Sequence, residues 1–191
     1  MKLFGRRNLK LHHIVRYILA SRNIKIYGDP ILRLTAAKVE KFGENWLPLI
    51  NDMFDTCESD EGAGLAAPQI GESIQLAVIM LRRENEEPFK MEVFNPEILE
   101  SAGEESFEEG CLSIPGIREN VVRPTKIRLK YQDHKGQMHE VWADGLLARV
   151  LQHEIDHLHG VLFVDHLPTV KKLILKSKLK SLEAGEIPDE A

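Results

Sequence analysis

Leu146-Leu147-Ala148-Arg149-Val150-Leu151-Gln152-His153-Glu154-Ile155-Asp156-His157-Leu158 is the stretch whose reading decides the fold. Leu147, Val150, Leu151, Ile155 and Leu158 recur at the spacing of a buried helix. Positions four apart lie one turn above each other, so His153 and His157 share a face and can share one metal ion. Glu154 stands one step round, where its carboxylate can take a proton from water without being a ligand. Buried imidazoles without partners would cost about 1–3 kcal/mol each, and a metal satisfies both.

The third ligand decides what kind of centre this is. One class of zinc proteases continues the motif as H-E-x-x-H-x-x-G-x-x-H; here Gly160 fits, but Phe163 stands where the last histidine is needed. Another class takes a glutamate from a later helix, yet Glu183 and Glu186 lie in a polar tail with no apolar frame to hold them. The better candidate is Cys111, in Glu109-Gly110-Cys111-Leu112-Ser113, where glycine lets the backbone come close to an ion. One thiolate, two imidazoles and an open position suit zinc, and the same set suits ferrous iron, cobalt or nickel.

Upstream, Gly62-Ala63-Gly64-Leu65-Ala66-Ala67-Pro68-Gln69 places small residues at Gly62, Ala63 and Gly64, which let an extended peptide backbone pair closely with the chain. A phosphate loop is disfavoured, because no G-K-[ST] follows.

These three stretches, together with Tyr27-Gly28-Asp29-Pro30-Ile31-Leu32-Arg33 and the pair Asn95-Pro96, resemble the peptide deformylases, enzymes that remove the formyl group from N-formylmethionine at the start of new polypeptides. The resemblance covers roughly residues 24–167. It implies one divalent metal ion, ferrous iron in the cell with zinc, nickel or cobalt as replacements, on Cys111, His153 and His157. It implies Glu154 as general base and then general acid. The side-chain amide of Gln69 and the backbone N–H of Leu112 would donate to the oxyanion, each such donor being worth roughly 3 kcal/mol of barrier. The substrate contacts it implies are Gly62, Ala63, Gly64, Phe107, Glu109, Arg118, Leu146 and Val150. Phe107, Leu146 and Val150 would surround an unbranched thioether side chain, and Arg118 would lie near the exit of the peptide groove. Glu109 would also pair with Arg123 beside the metal site. Arg149 departs from the resemblance, being polar where the family often has an apolar residue.

Composition frames these residues as one globular domain. A chain of 191 residues can bury a sizeable core. No apolar run reaches the roughly 18–20 residues of a membrane span, and a net charge of −5 argues against general nucleic-acid binding; no sequence-specific nucleic-acid partner is expected. Cys57 falls on the apolar face of a helix marked by Trp46, Leu49, Ile50, Met53 and Phe54, so it is expected in the core. With Cys111 committed to metal, no disulfide is expected, which points to a reducing compartment.

Strands are expected near Gln75–Leu81, Glu92–Phe94, Lys126–Tyr131 and Met138–Trp142, and Glu104–Glu109 as a solvated strand edge leading to Cys111. The expected fold is α+β, a single domain of antiparallel strands wrapped around a central metal-binding helix, with a C-terminal helix. The expected division is a basic amphipathic extension over 1–22, a catalytic domain over 23–167, and a lysine-rich helix and tail over 168–191. Residues 1–28 hold seven Lys or Arg and no acid. The expected location is the cytoplasm, or an organelle if 1–22 is a transit peptide. The expected partners are nascent formylated polypeptides and, through five lysines between Lys171 and Lys180, ribosomal RNA. The rival functions are an H-E-x-x-H metalloprotease and a non-catalytic binder of peptide N-termini.

Overall fold

Leu76-Ala77-Val78-Ile79-Met80 is apolar without alternation because both faces of its strand are covered. Side chains alternate along a strand, so Ala77 and Ile79 face one helix while Leu76, Val78 and Met80 face another. In the computed structural model, which describes residues 22–83 and 86–186, this segment begins β2 (Leu76–Arg83). The expected extension lies outside the described residues up to position 21.

Seven strands form two antiparallel sheets among the described residues. The larger has the order β1-β2-β3-β6-β7, with β1 at Gly64–Ala66, β3 at Glu86–Ala102, β6 at Lys126–Gln132 and β7 at Met138–Asp144. The smaller is a hairpin of β4 (Glu105–Cys111) and β5 (Ile114–Arg123). Among the described residues three α-helices accompany them: α1 (Leu47–Ser59), α2 (Gly145–Leu158) and α3 (Thr169–Glu183).

The helix carrying the two histidines, α2, lies against one face of the large sheet. Leu151, Ile155 and Leu158 pack on Ile79, Val93, Ile127 and Leu129, and burying each such side chain contributes about 1.5–3 kcal/mol. On the opposite face α1 contributes Ile50, Met53, Phe54 and Cys57 to a second cluster around Val78, Met80 and Phe94. Cys57 is fully buried and free, as its place on an apolar stripe predicts. A third cluster joins the hairpin (Ile114, Ile117, Val121) to Leu162, Phe163 and Val164 and to Leu175 and Leu182 of α3. The lysine-rich helix is therefore also a core element. No helix among the described residues is long and apolar enough to cross a membrane.

The largest departures from the expected strands are the length of β3 and the presence of β5. The segment Glu92–Phe94 is only the middle of the 17-residue β3. Its pattern is hidden by Asn95-Pro96, which forms a bulge where the pairing register shifts between Phe94 and Glu97. Asn95 adopts φ +48, and its side chain repays that strain by bonding Val39 N and Val39 O at 2.8 Å each and Gln132 at 3.0 Å. The pairing of β4 with β5 was not anticipated beyond the acidic strand edge, because β5 mixes charges into its apolar positions.

Candidate metal centre

Cys111, His153 and His157 arrive from two elements. Cys111 ends β4 at the tip of the hairpin, and the histidines face it from successive turns of α2. One ligand atom from each lies within 4.8 Å of the others, and Cys111 Sγ is 3.2 Å from His157 Nε2. The imidazole rings stand edge to face with centroids 5.1 Å apart. His159 turns away and bonds the Ile155 carbonyl with Nδ1 at 2.8 Å, so it does not join the group. Phe163, at the position where a protease would carry its last histidine, instead stacks its ring against His153 at 6.2 Å.

The electrostatics of this group fit a cation. Burial opposes a proton on His153, but Cys111 and Glu109 together raise its pKa well above the ordinary histidine value. Burial and the neighbouring His153 push that of His157 well below it, leaving a neutral imidazole able to ligate. Two buried polar atoms without a protein partner are Glu154 Oε2 and His157 Nδ1, both at this site. Leaving such atoms unpaired costs about 1–3 kcal/mol each, a cost with a reason where a metal and its substrate gather.

Glu154 is almost wholly buried, and that burial pushes its carboxyl up to about 7. A divalent cation beside it would lower that value again, so the group would be an ionised carboxylate, able to accept a proton, at neutral pH. Strand β1 runs directly over it. A Cβ on Gly64 would come within 2.6 Å of Glu154 Oε1 and 2.7 Å of Val150 Cγ1. Gly62 is similarly enclosed by Cys57 Sγ and Leu112 Cδ1, both 3.2 Å from its would-be Cβ. The missing side chains thus serve close approach inside the protein, while β1, at the edge of its sheet, keeps one side for an added strand. Gly64→Ala is expected to displace the Glu154 carboxylate and lower kcat by roughly 10²-fold, with an unchanged circular dichroism spectrum. Wild-type turnover by that variant would show that the contact is not limiting.

Gln69 is buried and held at both ends of its amide. Its Oε1 accepts from Ala66 N at 2.8 Å, and its Nε2 donates to Ser113 Oγ at 3.2 Å and lies 3.6 Å from Cys111 Sγ. The amide N–H is thereby aimed at the ligand cluster. Leu112 follows Cys111 in the turn of the hairpin and is partly buried against the α1 cluster.

Glu109, expected among the substrate contacts, is turned inward. Its Oε1 accepts from Arg123 Nε and Arg149, each at 2.7 Å, and its Oε2 from Arg123 at 3.0 Å. The same Oε2 lies 3.0 Å from His153 Nδ1. Both lone-pair sets are used, so the carboxylate orients His153 from behind and has none left for a peptide. Burial opposes its ionisation, but His153 and Arg123 outweigh that and hold its carboxyl down to about 2. The expected pairing with Arg123 is present, and Arg123 also reaches Asp156 at 2.7 Å.

A family model for polypeptide deformylase matches residues 21–173. The chain is 44% identical to a peptide deformylase of Cytophaga hutchinsonii over 167 residues, 85% of this chain and 91% of that protein. It is 46% identical to one of Mesorhizobium japonicum over 164 residues, 85% of this chain and 93% of that protein. Among solved structures, a peptide deformylase from Legionella pneumophila superposes with a TM-score of 0.78 at 45% identity, covering 89% of this chain and 99% of that one.

The chain belongs to the polypeptide deformylase family.

Its activity is that of this family, the hydrolytic removal of the formyl group from the N-termini of newly made proteins. The metalloprotease and non-catalytic readings fall with that finding. The remaining expected residues lie on α2 and the hairpin. Leu146 and Val150 stand one turn apart on α2, and Phe107 lies over Arg149 of the same helix, 5.4 Å from guanidinium carbon to ring centroid. Phe107 and Leu146 are half exposed, as walls of an open groove would be. Arg118 projects from β5 into solvent, 3.8 Å from Glu108. Sequence reading missed Ser113, fully buried beside Gln69, and the part played by Arg149. The signals for Arg149 were its polarity where the resemblance expects an apolar residue and its position one turn before His153 on a buried face.

Proposed function

We propose that Cys111, His153 and His157 hold one divalent ion, ferrous iron in the cell, and that Glu154, Gln69 and Leu112 perform the deformylation around it. The convergence of a thiolate and two imidazoles beside a buried, unpartnered carboxylate carries this reading. When bound, such an ion acts as a Lewis acid that makes water nucleophilic at neutral pH.

The protein's own groups supply the rest. Glu154 takes one proton from the attacking water at a carboxylate oxygen. The water oxygen bonds to the formyl carbon, whose carbonyl electrons move onto its oxygen. Gln69 Nε2–H and the backbone N–H of Leu112 donate to that oxyanion. Glu154 then gives its proton to the amide nitrogen, the C–N bond breaks, and formate and a free peptide N-terminus leave. Gly62, Ala63 and Gly64 seat the peptide as an added strand along β1, with its first side chain among Phe107, Leu146 and Val150 and its far end toward Arg118. Formate release from formyl-Met-Ala-Ser by anaerobically purified, iron-loaded protein is the test. Absence of turnover with metal bound stoichiometrically would overturn the assignment.

Iron is favoured over zinc by the family resemblance, and nickel, cobalt or zinc can take the same ligands. Air oxidation of Cys111 would remove a ligand, so a preparation handled in air is expected to lose iron and activity. The place of action is the cytoplasm, and the division into an extension over 1–22, a catalytic domain over 23–167 and a helical C-terminal part over 168–191 remains part of the proposal.

The C-terminal helix is proposed to meet the ribosome. Val170, Leu173 and Ile174 form an exposed apolar patch on α3, and its lysines suit phosphate. Deleting α3 would uncover the third core cluster, because Leu175 and Leu182 are buried there. Charge reversal of Lys176, Lys178 and Lys180 is the cleaner test. It is expected to abolish co-sedimentation with ribosomes at low salt while leaving formate release from a tripeptide intact; unchanged co-sedimentation would end the proposal.

A further inference from the structure

Among the described residues the β4–β5 hairpin shares no ladder with the large sheet; its tip accepts a backbone bond from Tyr27 at Ser113, and no backbone hydrogen bond ties it to α2, which carries His153 and His157. Apolar contacts of Ile114, Ile117 and Val121 hold the hairpin on the side of Phe163 and α3. Toward α2 the links are polar. Arg149 makes three of them from a side chain that is only 8% exposed. Its Nη1 donates to Glu109 Oε1 at 2.7 Å and to the Val121 carbonyl at 3.0 Å, and its Nη2 donates to the Glu105 carbonyl at 2.9 Å. One guanidinium thus touches both strands of the hairpin, and Phe107 covers its plane at 5.4 Å.

Arg149 precedes His153 by four residues, so it projects from the same side of α2 one turn earlier. Glu109 lies two residues before Cys111 on β4 and accepts from Arg149 while its other oxygen meets His153 Nδ1. The path from one ligand to another therefore runs Cys111, β4, Glu109, His153, with Arg149 bridging the strand to the helix alongside it.

We propose that Arg149 is a positioning residue of the metal centre, latching the hairpin that carries Cys111 onto the helix that carries His153 and His157. The inference rests on the reading of those three residues as ligands. Arg123 is a second tie of a different reach: from the end of β5 it holds Glu109 within the hairpin and bonds Asp156 on a later turn of α2, but it bonds no carbonyl of either hairpin strand. A planar fork with several donors is needed to bond two strand carbonyls and a carboxylate together, and an ammonium group does not reproduce it.

The test uses the full chain loaded with cobalt(II). Wild type is expected to show a thiolate-to-cobalt charge-transfer band that Cys111→Ala abolishes; a band that survives Cys111→Ala would overturn the ligand reading itself, and the latch with it. Arg149→Met is expected to weaken cobalt affinity about tenfold or more in competition with a chelator and to alter the visible ligand-field bands. Arg149→Lys, which keeps the charge and serves if the Met variant folds poorly, is expected to fall between the two. Cobalt affinity within twofold of wild type and an unaltered spectrum in either folded variant, even with a lowered Tm, would show that Arg149 only stabilises the fold.

Discussion

Glu154→Ala is expected to bind metal stoichiometrically yet release formate about 10²–10⁴-fold more slowly than wild type, the range a positioned general acid–base contributes. The carboxylate follows His153 directly and precedes His157 by three residues, yet lies outside the ligand group, so its removal takes away proton transfer and not a ligand. The loss is expected in kcat, with KM little changed, because the proton is moved only during the reaction. Stability should not suffer. Glu154 is buried with Oε2 unpartnered, and replacing it removes a desolvated group, so Tm is expected to stay level or rise. A variant that loses metal together with activity would make Glu154 a ligand, and full turnover would remove it from the mechanism. Steady-state formate release and metal analysis on the same sample distinguish these outcomes.

Cys111→Ala is expected to abolish both activity and metal retention. Two histidines one turn apart leave the ion with no thiolate, and nothing nearby replaces it: among the described residues the group is Cys111, His153 and His157 alone. His159 is committed to the Ile155 carbonyl, and Glu109 is saturated by Arg123, Arg149 and His153. The metal content after dialysis against a chelator is expected to drop from one ion per chain to a small fraction of that. The fold should persist, since Cys111 is only half-buried and the hairpin is anchored by Ile114, Ile117 and Val121. One ion retained per chain after dialysis would mean that another residue completes the centre.

Much of the site is legible along the chain because its parts are local. His153, Glu154 and His157 are related by helical geometry alone, and Cys111 and Gln69 sit in short stretches whose residue types have few other uses. Glu109 shows where this legibility stops. Its neighbourhood suggests a place at the substrate, but its direction depends on Arg123 and Arg149, which lie 14 and 40 residues away. Gly62 and Gly64 show the same limit. A glycine states that space is short, and only the folded chain says that Glu154, Val150, Cys57 and Leu112 occupy it.

The sequence by itself determined the helix that bears the two histidines and the antiparallel α+β class, because each follows from periodicity, and it nominated Cys111 as third ligand and Glu154 as general base from the chemistry of short stretches. Only the tertiary structure decided the length of β3 across its bulge, the inward turn of Glu109 and the latch made by Arg149. Those depend on hydrogen bonds between residues distant in the chain, and a buried arginine or glutamate takes its direction from whichever partners the fold brings within reach.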